Sequence, residues 1–212
     1  MKRVFVFLIT LFLLFHGTEA QKINFGIKGG TDIVNNRFKP NSSNWGVTNR
    51  LSYDYGLLIS YSPAKIFQIQ LESGFIEKGG QLKFKYVDEK WIFKYGYLSN
   101  QLVFILKPIR RLNVEIGSEL SRTLYAKQIR IPGQTIDDRL SDYKKYEFSG
   151  LAGLGFNFFD NAYIYLRYVY AFTPLIETWV LADPGPNYSY KIYNHYISLG
   201  LRYYFLRKDR YL

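Results

Sequence analysis

From Phe148 to Phe172 the chain reads FSGLAGLGFNFFDNAYIYLRYVYAF, and its apolar positions recur every second residue. Phe148, Ala152, Leu154, Phe156 and Phe158 fall on one face of the first arm, with Ser149, Gly153, Gly155 and Asn157 on the other. After Phe159-Asp160-Asn161 the second arm repeats the arrangement. Ala162, Ile164, Leu166, Tyr168, Tyr170 and Phe172 oppose Tyr163, Tyr165, Arg167, Val169 and Ala171. Side chains alternate across a strand, so a period of two with a short polar turn predicts an antiparallel hairpin.

The same alternation recurs along the chain, with no helical segment to cover the apolar faces. Strand-like stretches open at Ile23–Gly30, Tyr55–Tyr61 and Phe67–Phe75. Others are Tyr97–Lys107, Leu112–Leu120, the two arms above, and a last one ending at Phe205. Tyr97–Lys107 is the least regular, because Leu102 to Leu106 is apolar on both faces. Three connections are tight, the first two marked by Pro63 and Pro108. The other four are long polar stretches of roughly 20 residues each, a length unusual for structureless loops in a compact soluble domain. Strict short-long alternation is the connectivity of outer-membrane barrels, with tight periplasmic turns and long external loops. The fold expected is therefore all-β: an eight-stranded antiparallel up-and-down transmembrane β-barrel, its apolar face meeting lipid and its first strand closing on its last.

The start of the chain changes where that barrel would reside. Lys2 and Arg3 precede an apolar run from Val4 to Phe15, and Thr18 and Ala20 fall at the positions of a small-residue cleavage site. Residues 1–20 read as an export signal removed before Gln21, leaving residues 21–212 as one barrel domain of about 190 residues. The chain has no cysteine, which excludes both a lipid-anchored leader and a disulfide-stapled fold. Aromatic residues make up 19% of the sequence, with 20 tyrosines and 17 phenylalanines, the composition of rings at a membrane-water boundary. A formal charge of +11 suggests an acidic counterpart. For an exported chain that means phosphates of outer-membrane glycolipid or an acidic surface polymer, and not nucleic acid.

Charged residues divide into two candidate groups. The strand registers point Lys28, Glu72, Glu115, Glu119, Arg167 and Arg202 into the barrel. A lumen of eight strands holds side chains and no open channel, and unpaired buried charges are costly. These six are expected to pair as a plug that rigidifies the barrel, the functional alternative being a gated proton or ion path. The second group lies in the expected external loops: Lys83, Lys85, Lys90, Lys94 and Trp91, then Lys127, Arg130, Arg139, Lys144 and Lys145. They are candidates for binding lipid phosphates, a polysaccharide or a partner protein.

Catalytic chemistry has a thin basis. His195 is the one histidine beyond the leader, and nearby Ser189 does not by itself make a triad. Glu115 and Glu119 lie roughly 13 Å apart along one strand, too far for paired-carboxylate chemistry unless another strand contributes. No metal site or cofactor is expected.

FGIKGG (Phe25 to Gly30), GLLISYSPAKIFQIQLESGFIEKGG (Gly56 to Gly80) and YISLGLRYYF (Tyr196 to Phe205) together resemble the PorT-like small outer-membrane barrels of Bacteroidetes. The resemblance spans the mature chain and implies a Gram-negative outer-membrane protein inserted by the barrel-assembly machinery. It also implies secretion-system or surface proteins as partners. The seven residues Leu206 to Leu212 beyond Phe205 depart from a barrel that ends on its aromatic residue. The function expected is structural, binding or secretion-accessory and non-enzymatic. Two alternatives are a barrel enzyme acting on lipid or surface polymer, and a soluble lipocalin-like carrier with its apolar faces inside.

Overall fold

The computed structural model describes residues 22–39, 45–84, 89–109, 111–131, 135–138, 140–180 and 189–205. The expected signal peptide, Lys85, Arg139 and the extension after Phe205 lie outside these residues. The described chain is one antiparallel sheet of twelve strands with a single 3-10 turn at Leu140–Asp142. No helix among them is long and apolar enough to cross a membrane.

Eight strands form the ring: β1 (Lys22–Lys39), β3 (Arg50–Ala64), β4 (Phe67–Lys78), β6 (Lys90–Ile109), β7 (Leu112–Ile131), β9 (Tyr146–Asn157), β10 (Ala162–Ala171) and β12 (Ser189–Tyr204). Each pairs with the next, and β1 closes on β12 in an unbroken register from Gly26 opposite Tyr204 to Lys39 opposite Lys191. Closure leaves the ring no free edge, as lipid requires. Four short strands extend the external end: β2 (Trp45–Thr48), β5 (Gln81–Phe84), β8 (Thr135–Asp138) and β11 (Ile176–Val180). β2 pairs β5, β5 pairs β6, β8 pairs β7 and β11 pairs β12.

The apolar faces point out. Ile23, Phe25, Ile27, Leu57, Leu102, Phe104, Ile116, Leu154, Leu166, Leu199 and Leu201 are all exposed on the outside of the ring. From Ile23 to Ile33 on β1 is ten steps. At about 3.3 Å per step and a tilt near 40°, that spans roughly 25 Å, the height of a lipid-facing band. This arrangement removes the lipocalin-like carrier, which required these side chains inside.

Above the band the pattern inverts. On β1, outward Ile27 and Ile33 give way to Asn35, Arg37 and Lys39, while inward Lys28 and Asp32 give way to buried Val34 and Phe38. On β6, outward Leu98 gives way to Lys94 and Lys90, and inward Gln101 and Ser99 to Tyr97, Tyr95 and Phe93. The stretches expected as long loops are thus partly strand. The sheet outgrows the bilayer, its outer face becomes wet, and its inner face closes over an apolar core of Phe38, Leu82, Phe93, Tyr95, Leu175, Ile176 and Ile192. On β7 a bulge opposite Gly96 and Tyr97 also shifts which residues face inward, from Ser121 and Thr123 to Ala126 and Gln128: Leu124 is the extra residue, and the Tyr125 ring lies over Gly96.

Candidate functional site

The lumen fills because one wall is thin. Gly26, Gly30, Gly56, Gly74 and Gly200 lie on the adjoining strands β12, β1, β3 and β4, and a Cβ at Gly200 would meet the Tyr165 hydroxyl at 2.4 Å. Side chains from adjoining strands occupy that space, Tyr165 from β10 and Asp54 and Leu58 from β3.

The six lumen residues read from sequence all lie inside, and the structure assigns their partners. Arg167 reaches Glu72 through both terminal nitrogens (2.7 and 2.8 Å) and Glu115 through Nε (2.7 Å). Arg202 donates twice to Glu115, at 2.6 and 2.8 Å. Lys28 bridges Glu72 at 3.0 Å and Asp54 at 2.9 Å. The Tyr165 ring lies 4.8 Å from the Arg167 guanidinium carbon and 4.3 Å from that of Arg202. Planar guanidinium groups suit such bidentate, stacked pairing. Glu72 supplies from β4 the second carboxylate that Glu115 lacked on its own strand, but both are held by shared arginines.

Glu119 belongs to a second cluster. Lys78 ion-pairs with Glu119 and with Glu147, the latter at 2.7 Å, and every member is buried. Glu119 also accepts from Ser99 (2.8 Å), Gln101 (2.7 Å) and Tyr196 (2.6 Å), whereas Glu147 accepts from Asn194. Gln101 joins the clusters, accepting from Arg167 at 2.7 Å while donating to Glu119. Sequence reasoning missed Lys78, Glu147, Asp54 and Asp32. Lys78 fell in an expected loop, and Glu147 and Asp32 lay beyond the expected strand ends. The available signal was Lys78's even spacing from Gln68, Gln70 and Glu72, broken only by Gly74 and Ile76.

Asp32 is different. It is fully buried, and neither carboxylate oxygen has a hydrogen-bond partner; Asp54 Oδ1 is also unpartnered. Nearer the periplasmic end, Gln68, Gln70 and Tyr204 form a neutral hydrogen-bonded layer beneath Glu72. The lumen is therefore stacked as a polar layer, two charged clusters and an external apolar core.

The external candidates occupy strands and not the loops expected, because sheet pairing continues where apolar alternation stops. Lys83 lies on β5, Lys90, Trp91 and Lys94 on β6, and Lys127 and Arg130 on β7. They divide by face. Trp91 packs edge-on against Phe84 at 5.1 Å and carries the Arg130 guanidinium over its ring at 4.9 Å, beside the apolar core. Lys83, Lys90, Lys94 and Lys127 line the outer face. Lys94 stands directly opposite Lys127, and Lys83 opposite Lys90. Below them Arg122, exposed, sits at the register of Leu98, the upper edge of the apolar band. The ion pairs of the described residues include none of these five cations. Lys144 and Lys145 flank the start of β9 beside Thr123. His195 faces outward, its ring 6.3 Å from that of Tyr168.

Residues 19–177, well over half of the sequence, match the family model described as outer membrane protein beta-barrel domain. The chain belongs to that family. Its eight-stranded ring is shared with Neisserial surface protein A, at 11% identity and a TM-score of 0.52 over 85% of this chain and 97% of that one. Ail of Yersinia pestis, solved with the heparin analogue sucrose octasulfate, aligns at 13% identity and a TM-score of 0.44 (86% and 99% covered). OprG of Pseudomonas aeruginosa aligns at 13% identity and 0.46 (88% and 97% covered). No curated protein matches the sequence significantly. At these identities the likeness speaks to fold alone, and this is an outer-membrane β-barrel.

Proposed function

We propose that the protein is a non-enzymatic, non-conducting binding barrel whose external β6–β7 extension holds phosphate groups of outer-leaflet glycolipid. The carrying observation is the pairing of like charges on its outer face, Lys94 against Lys127 and Lys83 against Lys90, with Arg122 below. Directly opposed like charges weaken a sheet, and an anion between them turns repulsion into two charge-assisted contacts. The stacked lumen supports the non-conducting half of the reading, since ions would have to cross both salt-bridged clusters and the apolar core above them. On the same reading the chain is exported with cleavage before Gln21 and inserted by the barrel-assembly machinery of a Gram-negative Bacteroidetes-type cell. Following the PorT-like resemblance, we take the external sheet as the surface a secretion-system or surface protein would meet.

The test is binding of bisphosphorylated lipid A to the full chain in nanodiscs, with Lys94→Ser/Lys127→Ser as the variant. Retention should fall several-fold and lose most of its salt dependence. Unchanged retention and an unchanged salt slope would refute the basic face as the phosphate site. Planar bilayer recording should give no steady conductance from the native chain; a reproducible open level would refute the plug.

A further inference from the structure

Three side chains on the lipid-facing side do not belong in hydrocarbon. Ser73 on β4 stands opposite Asn100 on β6, both exposed on the outside of the ring. Ser118 on β7, opposite Leu102, lies one diagonal away from Asn100. Among the described residues, none of the three side chains makes a hydrogen bond. Hydrocarbon offers such groups no partner, and an unsatisfied amide or hydroxyl there is unfavourable. Beside them, Ile27, Tyr55, Leu57, Phe75 and Leu98 border a groove of about 470 Å³, floored by Gly56 and Gly74. The floor is backbone, because residues 56 and 74, paired across β3–β4, belong to the inward-facing set and place no side chain on the outer surface there.

Position connects the two features. Ser73 and Asn100 lie two register pairs below Phe75 and Leu98, and Leu98 is level with Arg122. Lys94 and Lys127 follow four β6 residues higher, roughly 10 Å along a tilted strand. Read downward, β6 and β7 offer cations and then hydrogen-bonding groups just inside the band, and beside those groups, across β4, β3 and β1, lies an apolar groove with Ser73 in its wall. An acylated, phosphorylated glycolipid presents those chemistries in that order: phosphates on a sugar, amide or ester linkages, and chains.

We propose that Ser73, Asn100 and Ser118 bind the amide or ester linkages of one outer-leaflet glycolipid molecule, with an acyl chain in the Tyr55–Phe75 groove. The proposal rests on the phosphate-binding reading above and extends it into the membrane. The occupant is a glycolipid because the cations stand above Asn100 and Ser118 on β6 and β7, and Ser73, opposite Asn100, borders the groove. A phospholipid or a second copy of the barrel are the competing occupants.

The experiment uses the full chain in detergent micelles, with retention of lipid read by native mass spectrometry. Probes are bisphosphorylated lipid A, its dephosphorylated form and phosphatidylglycerol. The variant Ser73→Ala/Asn100→Leu/Ser118→Ala makes the face more apolar and should remain folded, checked by faster migration when unboiled. It should retain both forms of lipid A about tenfold less well than the native chain. Lys94→Ser/Lys127→Ser should instead lose its preference for the phosphorylated form while still holding the dephosphorylated one. Native retention by the triple variant overturns the acyl-side site and leaves the basic face standing. Equal native retention of phosphatidylglycerol overturns the glycolipid assignment. A native dimer that the triple variant abolishes assigns the patch to self-association and overturns it as well.

Discussion

Replacing Lys78 with methionine removes the cation between Glu119 and Glu147. Methionine keeps the length and apolar stem of the lysine, so the change in packing is small and the change in charge dominates. Lys78, Glu119 and Glu147 are each at most 1% exposed. Removing one partner of a buried ion pair typically costs about 3–5 kcal/mol, because the surviving charge stays desolvated. The two carboxylates do not suffer equally. Glu119 keeps donors on Ser99, Gln101 and Tyr196, whereas Glu147 keeps Asn194. Most of the cost therefore falls on Glu147. Lys78→Met should lose about 3–5 kcal/mol, and adding Glu147→Gln should restore roughly 2 kcal/mol, more than adding Glu119→Gln restores. Urea unfolding of the refolded barrel in lipid vesicles, followed by tryptophan fluorescence and gel mobility, measures all three. A Lys78→Met barrel as stable as the native one, or an equal rescue by the two glutamines, would refute the assignment of charge and hydrogen bonds in this cluster.

Asp32→Asn should stabilise the barrel by about 1–3 kcal/mol in the same assay at neutral pH, since the native carboxylate is buried without a hydrogen-bond partner; destabilisation would mean that a counter-charge already serves it. Ile116→Arg places a charge midway along the outward face of β7, at a position 61% exposed on the ring's outer surface. If that surface meets lipid, insertion should cost about 2–4 kcal/mol, whereas a water-facing position would tolerate the change.

The sequence alone was sufficient for the ring. Within the bilayer a strand must be apolar outside and polar inside, so the two-residue period of Phe148–Phe172 reports both the strand and the direction each side chain faces. Tight turns alternating with long stretches then order the strands, and closure in lipid follows from the need to pair every backbone group. The inward orientation of Lys28, Glu72, Glu115, Glu119, Arg167 and Arg202 was legible for the same reason.

Alternation says which face a residue takes, but not its height or its neighbour across the lumen. Arg167 meets Glu72 across 95 residues of sequence because β4 and β10 face each other through the barrel, and no local pattern encodes that distance. Lys78 and Glu147 were hidden because the strands run past the membrane, where the outer face turns polar, the inner face turns apolar, and the period that marks a strand in lipid changes phase. Lys94 and Lys127 appear in sequence as scattered loop charges. Only the register of β6 against β7, set in part by the bulge at Gly96, puts them face to face on one surface.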